Sequence, residues 1–380
     1  MKIFGRIISI RKHKTSIFID IFSNRSKVEQ CFLAQDEKGL CIGDIIYSAD
    51  FYEGTSKKGY PTIFINTLQV VGKSGKSITK KGLVSYARTH HVKSQQESLL
   101  GGNSLKIALA RTHIYQTTVN FLNSKKFIQV FSDNIEDYRG AYSLRPFQLY
   151  NKELDKQQYL RITLECQLKK QLCFFLQPVY ELGKVYRNMG SSSDHIQEYT
   201  VLEAVLPFSS LEDLYSILYE LSLALYSVAN TYMDISEMIH ITEKPELITY
   251  ENLMQGVSDS AYNEKKKTLK NHIVYNIPPK SPLAKWNDKF ALEFEWIFNG
   301  SGLAHGYEDE YDCDVLRERF QKQIDELAKN GINAEIDESF LDTIEFGMPN
   351  SSSFVLGIDR LIQQLFSLPN ISNVTNSLGV

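Results

Sequence analysis

The residues best suited to chemistry lie in segment 179–203, where two β-rich runs flank a polar loop. Arg187 stands where the first run ends, and His195 lies in the loop. A guanidinium group can grip a phosphate and a carboxylate at once through its planar fork, and it does not lose its charge. A loop histidine can reach a terminal phosphate. The segment therefore predicts an anion site, although each residue taken alone is at least as often an ordinary surface side chain.

Residues 72–77, Gly-Lys-Ser-Gly-Lys-Ser, resemble a phosphate-binding loop. Such a loop needs a further glycine at a fixed distance before Gly-Lys-Ser and a strand that leads into a helix. Neither feature is found in this part of the sequence. We interpret the stretch as part of a flexible basic linker.

Composition indicates a folded chain of two or three domains. The 380 residues exceed one ordinary domain of about 150 residues. Hydrophobic residues make up 43% and charged residues 23%, which is close to globular averages and argues against disorder. The net charge of −3, from 42 basic and 45 acidic residues, gives no overall electrostatic signal for nucleic acid. Nucleic-acid binding therefore requires a local patch.

The cysteines indicate neither a disulfide framework nor a zinc site, because they are odd in number, scattered and without a Cys-x-x-Cys pair. The N-terminal residues do not have the pattern of a signal peptide, and no apolar run is long enough to cross a bilayer. The sequence therefore predicts a soluble protein of the reducing cytoplasm that does not bind membranes. The cysteines concerned are Cys31, Cys41, Cys166, Cys173 and Cys313.

The first part of the chain consists of short β-rich runs bounded by polar turns, at residues 3–10, 16–22, 28–34, 44–52 and 62–71. Five strands in this stretch predict a small closed barrel, of which the OB-fold is the commonest five-stranded form. An unspecialised β-module is the alternative. Basic and aromatic residues of the barrel suit stacking on unpaired bases, although most such aromatic residues are simply core. They are Arg6, Arg11, Lys12, Lys14, Arg25, Phe18, Phe22 and Phe32.

The rest of the chain does not alternate strictly between strands and helices, which favours an α+β fold over a doubly wound sheet. Helices are expected at residues 105–123, 211 to about 239 and 315–329, and strands at 127–131, 158–162, 179–187, 199–206 and 290–298. The charged stretch 242–270 is expected to be a helical excursion at the surface. We divide the chain into a barrel domain at 1–74, a linker at 75–104 and a large domain at 105–380.

Two motifs, in this order, resemble those of the class II aminoacyl-tRNA synthetases. The segment around Arg187 is similar to their motif 2, and Gly-Ile-Asp-Arg at 357–360 is similar to the end of motif 3. The stretches that begin at Arg145 and at Ser281 resemble the lysyl branch of the Asp, Asn and Lys subclass. The resemblance covers nearly the whole chain. It implies an OB-fold that reads the anticodon and a catalytic domain with a central antiparallel sheet flanked by helices.

The resemblance also implies roles for individual residues. Arg187 would bind the α-phosphate and the substrate carboxylate, and Arg360 the far phosphates, so that the two arginines carry electrostatic catalysis. His195 and Tyr199 complete the implied ATP site, the tyrosine by stacking on adenine. Glu295 is implied as a ligand of Mg²⁺. The residues implied to bind the amino acid are Glu165, Glu203, Tyr307 and Asp309.

Several positions depart from the family pattern. Met189 stands where motif 2 has a glutamate that contacts the adenine amino group, and Gly302 replaces a second metal-binding glutamate. Ser353 and Val355 replace glycines of motif 3, where side chains are expected to crowd the pocket. Asp133 replaces the motif 1 proline of the dimer interface. These changes predict ATP binding that is weakened or rearranged.

Recognition of the amino acid is also expected to differ from that of the family. Lysyl enzymes hold the side-chain ammonium with a glutamate and a tyrosine, where this chain has Asp309 and Val205. The shorter acid leaves room for a related or larger cationic amino acid. Without the resemblance, the acidic run 308–314 is more typical of a solvated face.

The leading hypothesis is a homodimeric ligase that activates lysine or a related cationic amino acid with ATP and Mg²⁺ and transfers it to tRNA. A ligase with a protein or small-molecule acceptor is one alternative, although related protein-lysylating enzymes lack the barrel. A non-catalytic relative that binds a ligand or RNA is the other. Met189, Gly302 and Val355 support this last alternative.

Overall fold

The computed structural model describes residues 2–25, 27–35, 37, 39–74, 103–139, 144–232, 243–287 and 289–374. The chain divides into two compact units, residues 1–109 with 376–380 and residues 110–375. The linker predicted at 75–104 lies almost entirely outside the described residues. The part of the chain that is described contains no helix long and apolar enough to span a membrane.

The first unit contains a closed β-barrel. Its strands are β1 (Ile3–Lys12), β2 (Ile17–Ser23), β3 (Val28–Leu33), β4 (Ile45–Thr55) and β5 (Pro61–Gly72). They close in the order β1-β2-β3-β5-β4, with β1 paired to β4. Side chains alternate between the two faces of a strand, and Ile7, Ile19 and Ile46 lie fully buried in the interior. The five-stranded OB-like barrel predicted from the sequence is confirmed.

The second unit is built on a large, mostly antiparallel sheet. Its strands and those of a smaller sheet are β6 (Ile128–Gln129), β7 (Ile135–Glu136), β8 (Gln148–Asn151), β9 (Lys156–Leu160), β10 (Val179–Tyr186), β11 (Glu198–Pro207), β12 (Glu246–Thr249), β13 (Asn271–Tyr275), β14 (Glu293–Phe298), β15 (Ser301–Glu308) and β16 (Ser351–Gly357). The large sheet has the order β12-β13-β14-β15-β16-β11-β10-β6, and the smaller one β7-β9-β8. Only the β6–β10 and β12–β13 pairs of the large sheet are parallel. The predicted α+β class is confirmed.

The helices of the described residues are α1 (Asn103–Ser124), α2 (Glu165–Phe175), α3 (Leu211–Ala229), α4 (Tyr250–Met254), α5 (Tyr262–Lys266), α6 (Cys313–Lys329), α7 (Glu338–Glu345) and α8 (Ile358–Leu365). Helix α3 shows why pattern and structure agree. Ser210 and Asp213 form a capping box at its start, and Leu214, Leu218 and Leu225 form a buried stripe. The helix ends at Ala229, ten residues before the predicted end, and residues 233–242 lie outside the described part.

Stretch 242–270 is not simply a charged surface excursion. Strand β12 joins the edge of the large sheet by pairing with β13. Helices α4 and α5 bury Tyr250, Leu253 and Tyr262 in a cluster with Val274 and Ile297. The expected helices are confirmed by α4 and α5. The expected position at the surface was wrong, because apolar residues spaced between the charges supply a buried face. The packing also brings Lys266 of α5 to Glu295 of the large sheet, at 2.8 Å.

Candidate active site

Neighbouring strands of the large sheet bring predicted site residues into one row. Glu203 of β11 pairs with Val355 of β16, which pairs in turn with His305 of β15. His305 pairs with Glu295 of β14. Residues paired in this way project from the same face of a sheet, so residues far apart in sequence become neighbours. Tyr199 faces the same side because it lies four residues before Glu203 on β11.

Two adjoining cavities lie over this face. We call the first, of about 360 Å³, the arginine cavity, because Arg187 and Arg360 line it together with His195 and Tyr199. We call the second, of about 210 Å³, the glutamate cavity, because Glu165 and Glu203 line it together with Tyr307. Arg187, His305 and Val355 line both cavities. A ligand that spans the two would therefore pass Arg187.

Local structure fixes the position of both arginines. Arg187 directly follows β10, and its backbone N–H donates a hydrogen bond of 2.8 Å to the carbonyl oxygen of Gln197 across the loop. Arg360 lies in the first turn of α8, next to the buried Asp359. Asp359 forms an ion pair of 3.0 Å with Arg111 and accepts a 2.7 Å hydrogen bond from the backbone of Thr200. Motifs 2 and 3 are thereby tied together beneath the arginine cavity.

The arginine cavity contains buried donor atoms for which the described residues supply no partner. The Nε atoms of Arg187 and Arg360 and the hydroxyl of Tyr199 are buried and make no hydrogen bond within the described residues. The guanidinium of Arg187 lies 5.2 Å from the centroid of the Tyr199 ring. Arg360 also donates a 2.8 Å hydrogen bond to the carbonyl of Gly302. Because buried polar groups are nearly always hydrogen-bonded, unpaired donors around a cavity indicate a missing anionic or polar ligand.

His195 contributes a neutral ring to this cavity. Its Nδ1 atom lies 3.1 Å from the hydroxyl oxygen of Ser192 within the exposed loop. Desolvation, and then the nearby charge of Arg360, lower the pKa of His195 from its usual value. The histidine therefore offers a hydrogen bond rather than a positive charge at neutral pH.

Several of the substituted positions of the family pattern line the cavities. Met189, Gly302 and Val355 border the arginine cavity, and Ser353 borders the glutamate cavity. The crowding expected from Val355 leaves an arginine cavity of about 360 Å³. Known small-molecule sites measure roughly 300 to 1,000 Å³. The space and the unpaired donors therefore fit a nucleotide.

The residues present do not fit a magnesium ion held by the protein. Glu295 reaches the arginine cavity, but Lys266 forms an ion pair of 2.8 Å with its Oε1 atom, and Tyr262 donates a 2.9 Å hydrogen bond to its Oε2 atom. A side-chain carbon at Gly302 would overlap the Glu295 carboxylate, so glycine makes room for this arrangement. Within the described ranges, no group of three or more histidine, cysteine or acidic side chains could hold a metal ion. At this position Lys266 supplies the positive charge that a metal ion would otherwise supply.

The glutamate cavity brings together three of the four residues predicted to bind the amino acid. The Tyr307 hydroxyl donates a hydrogen bond to Oε1 of Glu165. Glu203 accepts hydrogen bonds of 3.0 Å from the Thr163 hydroxyl and 3.1 Å from the backbone N–H of Leu164. Burial, and then the charge of Glu165, raise the pKa of Glu203 to about 7. The cavity is acidic and fits an ammonium group.

The fourth predicted residue, Asp309, is not placed on the cavity wall. It is fully buried and accepts hydrogen bonds of 2.7 Å from Ser351 and 2.6 Å from Ser353. Its third partner is Lys169, whose Nζ lies 3.1 Å away. Asp309 lies away from the cavity because aspartate is shorter than the glutamate of the family pattern. Its carboxylate therefore stays inside the protein, where Ser351, Ser353 and Lys169 contact it. The acidic run 308–314 is therefore not simply a solvated face at this position.

Sequence reasoning missed two lysines, Lys169 and Lys266. Lys169 follows Glu165 by four residues on α2, a spacing that usually indicates an exposed helical pair. Lys266 lies in a run of three lysines that was assigned to the surface. The pair of Lys169 with Glu165 differs from an ordinary exposed helical pair, because Lys169 has no exposed surface. No signal in the sequence indicated that Lys169 pairs with Asp309 or that Lys266 pairs with Glu295.

Glu203 provides a test of this electrostatic environment. Its folded-state pKa of about 7 lies above the usual 4.5, so the folded protein holds this proton more tightly than the unfolded chain does. Stability associated with Glu203 is therefore present below pH 4.5 and lost as the pH rises through 7. Glu203→Gln does not titrate, and we expect its unfolding free energy to rise relative to the natural protein by roughly 2 to 4 kcal/mol between acidic and alkaline pH.

Urea unfolding of both proteins at several pH values measures this difference. Glu198→Gln, on the same strand but half exposed and paired with Lys184, is the matched control. If the difference in unfolding free energy between Glu203→Gln and the natural protein stayed constant with pH, that result would contradict a raised pKa at Glu203.

Comparison with known proteins agrees with this geometry. The sequence profile of the family described as tRNA synthetases class II (D, K and N) matches residues 91–376. A lysine--tRNA ligase of Carboxydothermus hydrogenoformans is 28% identical over 98% of this chain and 87% of its own length. Lysine--tRNA ligases of Moorella thermoacetica and Thermoanaerobacter pseudethanolicus are each 26% identical, over 97% of this chain and 86% and 85% of their own lengths. The chain therefore belongs to the class II tRNA synthetases of the D, K and N group.

Proposed function

We propose that this chain activates an amino acid with ATP to form an aminoacyl-adenylate and transfers the aminoacyl group to tRNA. The observation that carries the proposal is the position of Arg187, which lines both cavities and has a buried Nε atom without a partner in the described part of the chain. A cation at this junction suits a reaction between a carboxylate in the glutamate cavity and a phosphate in the arginine cavity.

In the first step the substrate carboxylate attacks the α-phosphorus of ATP, an acyl-phosphate bond forms and pyrophosphate leaves. Negative charge grows on the α-phosphate oxygens, and Arg187 stabilises that charge without transferring a proton. Arg360 and neutral His195 hold the leaving phosphates, and Glu165 receives the α-ammonium group of the amino acid. In the second step a ribose hydroxyl of tRNA attacks the acyl carbon and loses its proton, an ester bond forms, the acyl-phosphate bond breaks and AMP leaves. Magnesium bound through Glu295 is not part of the proposal, because Lys266 occupies that carboxylate.

The barrel supports RNA as the acceptor. Rings form a row across its outer face: Phe18 and Phe32 are 4.9 Å apart, Phe32 and Phe64 5.6 Å, and Phe64 and Tyr52 4.9 Å between centroids. Tyr52 is exposed and stacks nearly parallel to Phe64. We call these four residues the aromatic row. Aromatic rings on the outer face of a barrel of this kind suit stacking on unpaired bases.

The basic residues predicted beside these rings are only partly available. Arg11 forms an ion pair of 2.7 Å with Asp20, and Arg25 one of 2.7 Å with Glu53. Arg6 donates a 2.8 Å hydrogen bond to the carbonyl of Gly43. Stacking by the aromatic row is therefore expected to contribute more to RNA binding than these arginines do.

Phe32→Ala is expected to weaken binding of a tRNA anticodon stem-loop by about 1 to 3 kcal/mol, the usual contribution of one stacked base. Fluorescence polarisation with a labelled stem-loop measures the change. Phe4→Ala is the matched control, since Phe4 is an exposed phenylalanine of the same barrel outside the aromatic row. Equal losses for the two variants would argue against stacking on this row.

A homodimer is also part of the proposal. Phe131, which is 82% exposed, lies with Ile135 and Tyr138 near Asp133 at the motif 1 position. Large exposed apolar side chains in one area support a protein interface. Sedimentation velocity of the full chain is the measurement, and a monomer at all concentrations would contradict a dimer.

Amino-acid-dependent ATP–pyrophosphate exchange, run with each standard amino acid and with non-standard cationic and neutral ones, tests the proposed activity. We expect exchange with a restricted set of amino acids, and labelled amino acid offered to total tRNA then tests the acceptor. Exchange without tRNA charging would favour a protein or small-molecule acceptor. No exchange with any amino acid would refute the activity and favour a non-catalytic binding protein, which the pairing of Glu295 with Lys266 supports.

A further inference from the structure

A buried charge cluster lies next to the glutamate cavity. Lys169 of α2 has no exposed surface, and its Nζ atom forms ion pairs of 2.5 Å with Glu165 and 3.1 Å with Asp309. The same ammonium lies 5.2 Å from the centroid of the Tyr307 ring. Lys169 therefore has a carboxylate, a second carboxylate and an aromatic face around it. This is the set of groups that a protein uses to bind an ammonium group.

The cluster separates Asp309 from the cavity and so from a second cation. Its Oδ2 atom accepts a 2.7 Å hydrogen bond from Ser351, and its Oδ1 atom accepts one of 2.6 Å from Ser353. Lys169 lies 3.1 Å from Oδ1. Asp309 has no exposed surface, whereas Ser353 and Tyr307 line the cavity. A ligand ammonium could reach Asp309 only by displacing Lys169. Displacement would leave the buried lysine to share Glu165 with the α-ammonium group of the ligand, which is unfavourable.

The charges of the cavity lead to the same conclusion. Lys169 balances one of its two carboxylate partners, and the remaining negative charge, on Glu165 at the cavity wall, suffices for one α-ammonium group. The second wall carboxylate, Glu203, carries only part of a negative charge at neutral pH, because burial and then the charge of Glu165 raise its pKa to about 7. A second substrate ammonium would therefore add a buried charge that these groups neutralise only in part.

The remaining wall of the glutamate cavity suits an uncharged side chain. Val205, Leu283 and Ser353 are among the residues that line it, and none of them carries a charge. His305 also lines the cavity, and its Nε2 atom lies 2.6 Å from Oε1 of Glu293.

We propose that the glutamate cavity selects an amino acid with an uncharged side chain, because Lys169 occupies Asp309, the carboxylate that would otherwise hold a side-chain ammonium. The inference rests on the proposed function, since it assumes that the cavity binds the amino acid to be activated. Lys169 is then a specificity-determining residue that acts through Glu165 and Asp309. The substrate class differs from that of the lysine--tRNA ligases to which the chain is similar.

Binding of two stable adenylate analogues to the full chain tests this inference. Lysyl-sulfamoyladenosine and norleucyl-sulfamoyladenosine differ only in the terminal ammonium, and calorimetry gives the affinity of each. An unpaired buried ammonium costs several kcal/mol, so we expect the norleucyl analogue to bind about 10²-fold more tightly or better. Equal or tighter binding of the lysyl analogue would overturn the inference while leaving the proposed activity intact. No binding of either analogue would refute the proposed activity and, with it, the inference.

Variants of Lys169 test the cause of the selectivity. Lys169→Ala removes the internal ammonium and leaves space and negative charge, so we expect the preference for the norleucyl analogue to fall by about tenfold or more. The double variant Lys169→Ala with Asp309→Asn removes the surplus carboxylate as well, and it should recover the preference and fold even where the single variant does not. Lys170→Ala, on the same helix and paired with Asp337, should leave the preference unchanged. A double variant that prefers the lysyl analogue would contradict the role of Lys169.

Discussion

Arg187→Ala is expected to lower amino-acid-dependent ATP–pyrophosphate exchange by about 10²- to 10³-fold, the usual cost of removing one donor aimed at developing charge. Arg187 is the cation shared by the arginine cavity and the glutamate cavity, and its Nε atom has no partner among the residues described. Its loss removes stabilisation at the atoms that react. The decrease should therefore lie mainly in kcat rather than in the KM for ATP.

Arg187→Lys separates charge from geometry. Lysine keeps the positive charge but lacks the planar fork, so we expect a loss smaller than that of alanine but still large. Arg317→Ala is the matched control, because Arg317 belongs to the same unit but is half exposed and paired with Glu338 at 2.8 Å. Exchange that survives in Arg187→Ala at the level of Arg317→Ala would mean that the reaction takes place elsewhere in the molecule.

Lys169→Ala is expected to lower the free energy of unfolding by about 3 to 5 kcal/mol, the usual cost of removing one partner of a buried ion pair. The lysine has no exposed surface, and its loss leaves Glu165 and Asp309 close together without a cation. Coulomb repulsion between two carboxylates in a region of low dielectric constant adds to the lost attraction. Urea unfolding followed by circular dichroism measures the change.

A second glutamate–lysine pair gives the control for this prediction. Glu318 and Lys322 have the same four-residue spacing on helix α6, but both side chains are largely exposed. Lys322→Ala should leave stability close to that of the natural protein, because water already solvates both charges. Similar losses in the two variants would show that burial of Lys169 has no energetic consequence.

The sequence by itself determined the barrel with little error. Residues 3–10, 16–22 and 62–71 were predicted as strands, and they correspond to β1, β2 and β5 within a few residues. Alternation of apolar and polar residues is a local property, so a single sequence contains it. Helix α3 was found for the same reason, from leucines at helical spacing. Strand β6 was predicted as 127–131 and has only two residues, because its extent depends on pairing with β10.

The sequence also indicated which residues would form the site. Arg187, His195, Tyr199 and Arg360 were chosen from motifs, and the structure brings all of them to the arginine cavity. The spacing of these residues along the chain matches the order of the strands that carry them. The motif therefore indicates indirectly that they meet in one cavity. Glu165, Glu203 and Tyr307 meet in the glutamate cavity in the same way. The chemical roles of these residues stay predictions until they are measured.

Only the tertiary structure decided how the charges are paired. Asp309 was expected to bind a substrate cation and Glu295 a metal ion, but Lys169 and Lys266 are their partners. Hydrophobic periodicity reports which residues face a core, whereas an ion pair depends on distances between side chains from different elements. Lys169 lies 140 residues from Asp309 along the chain, and its burial follows from the packing of α2 against the large sheet. Motifs therefore determined where the cavities lie, and three-dimensional packing determined which charges in them are available to a ligand.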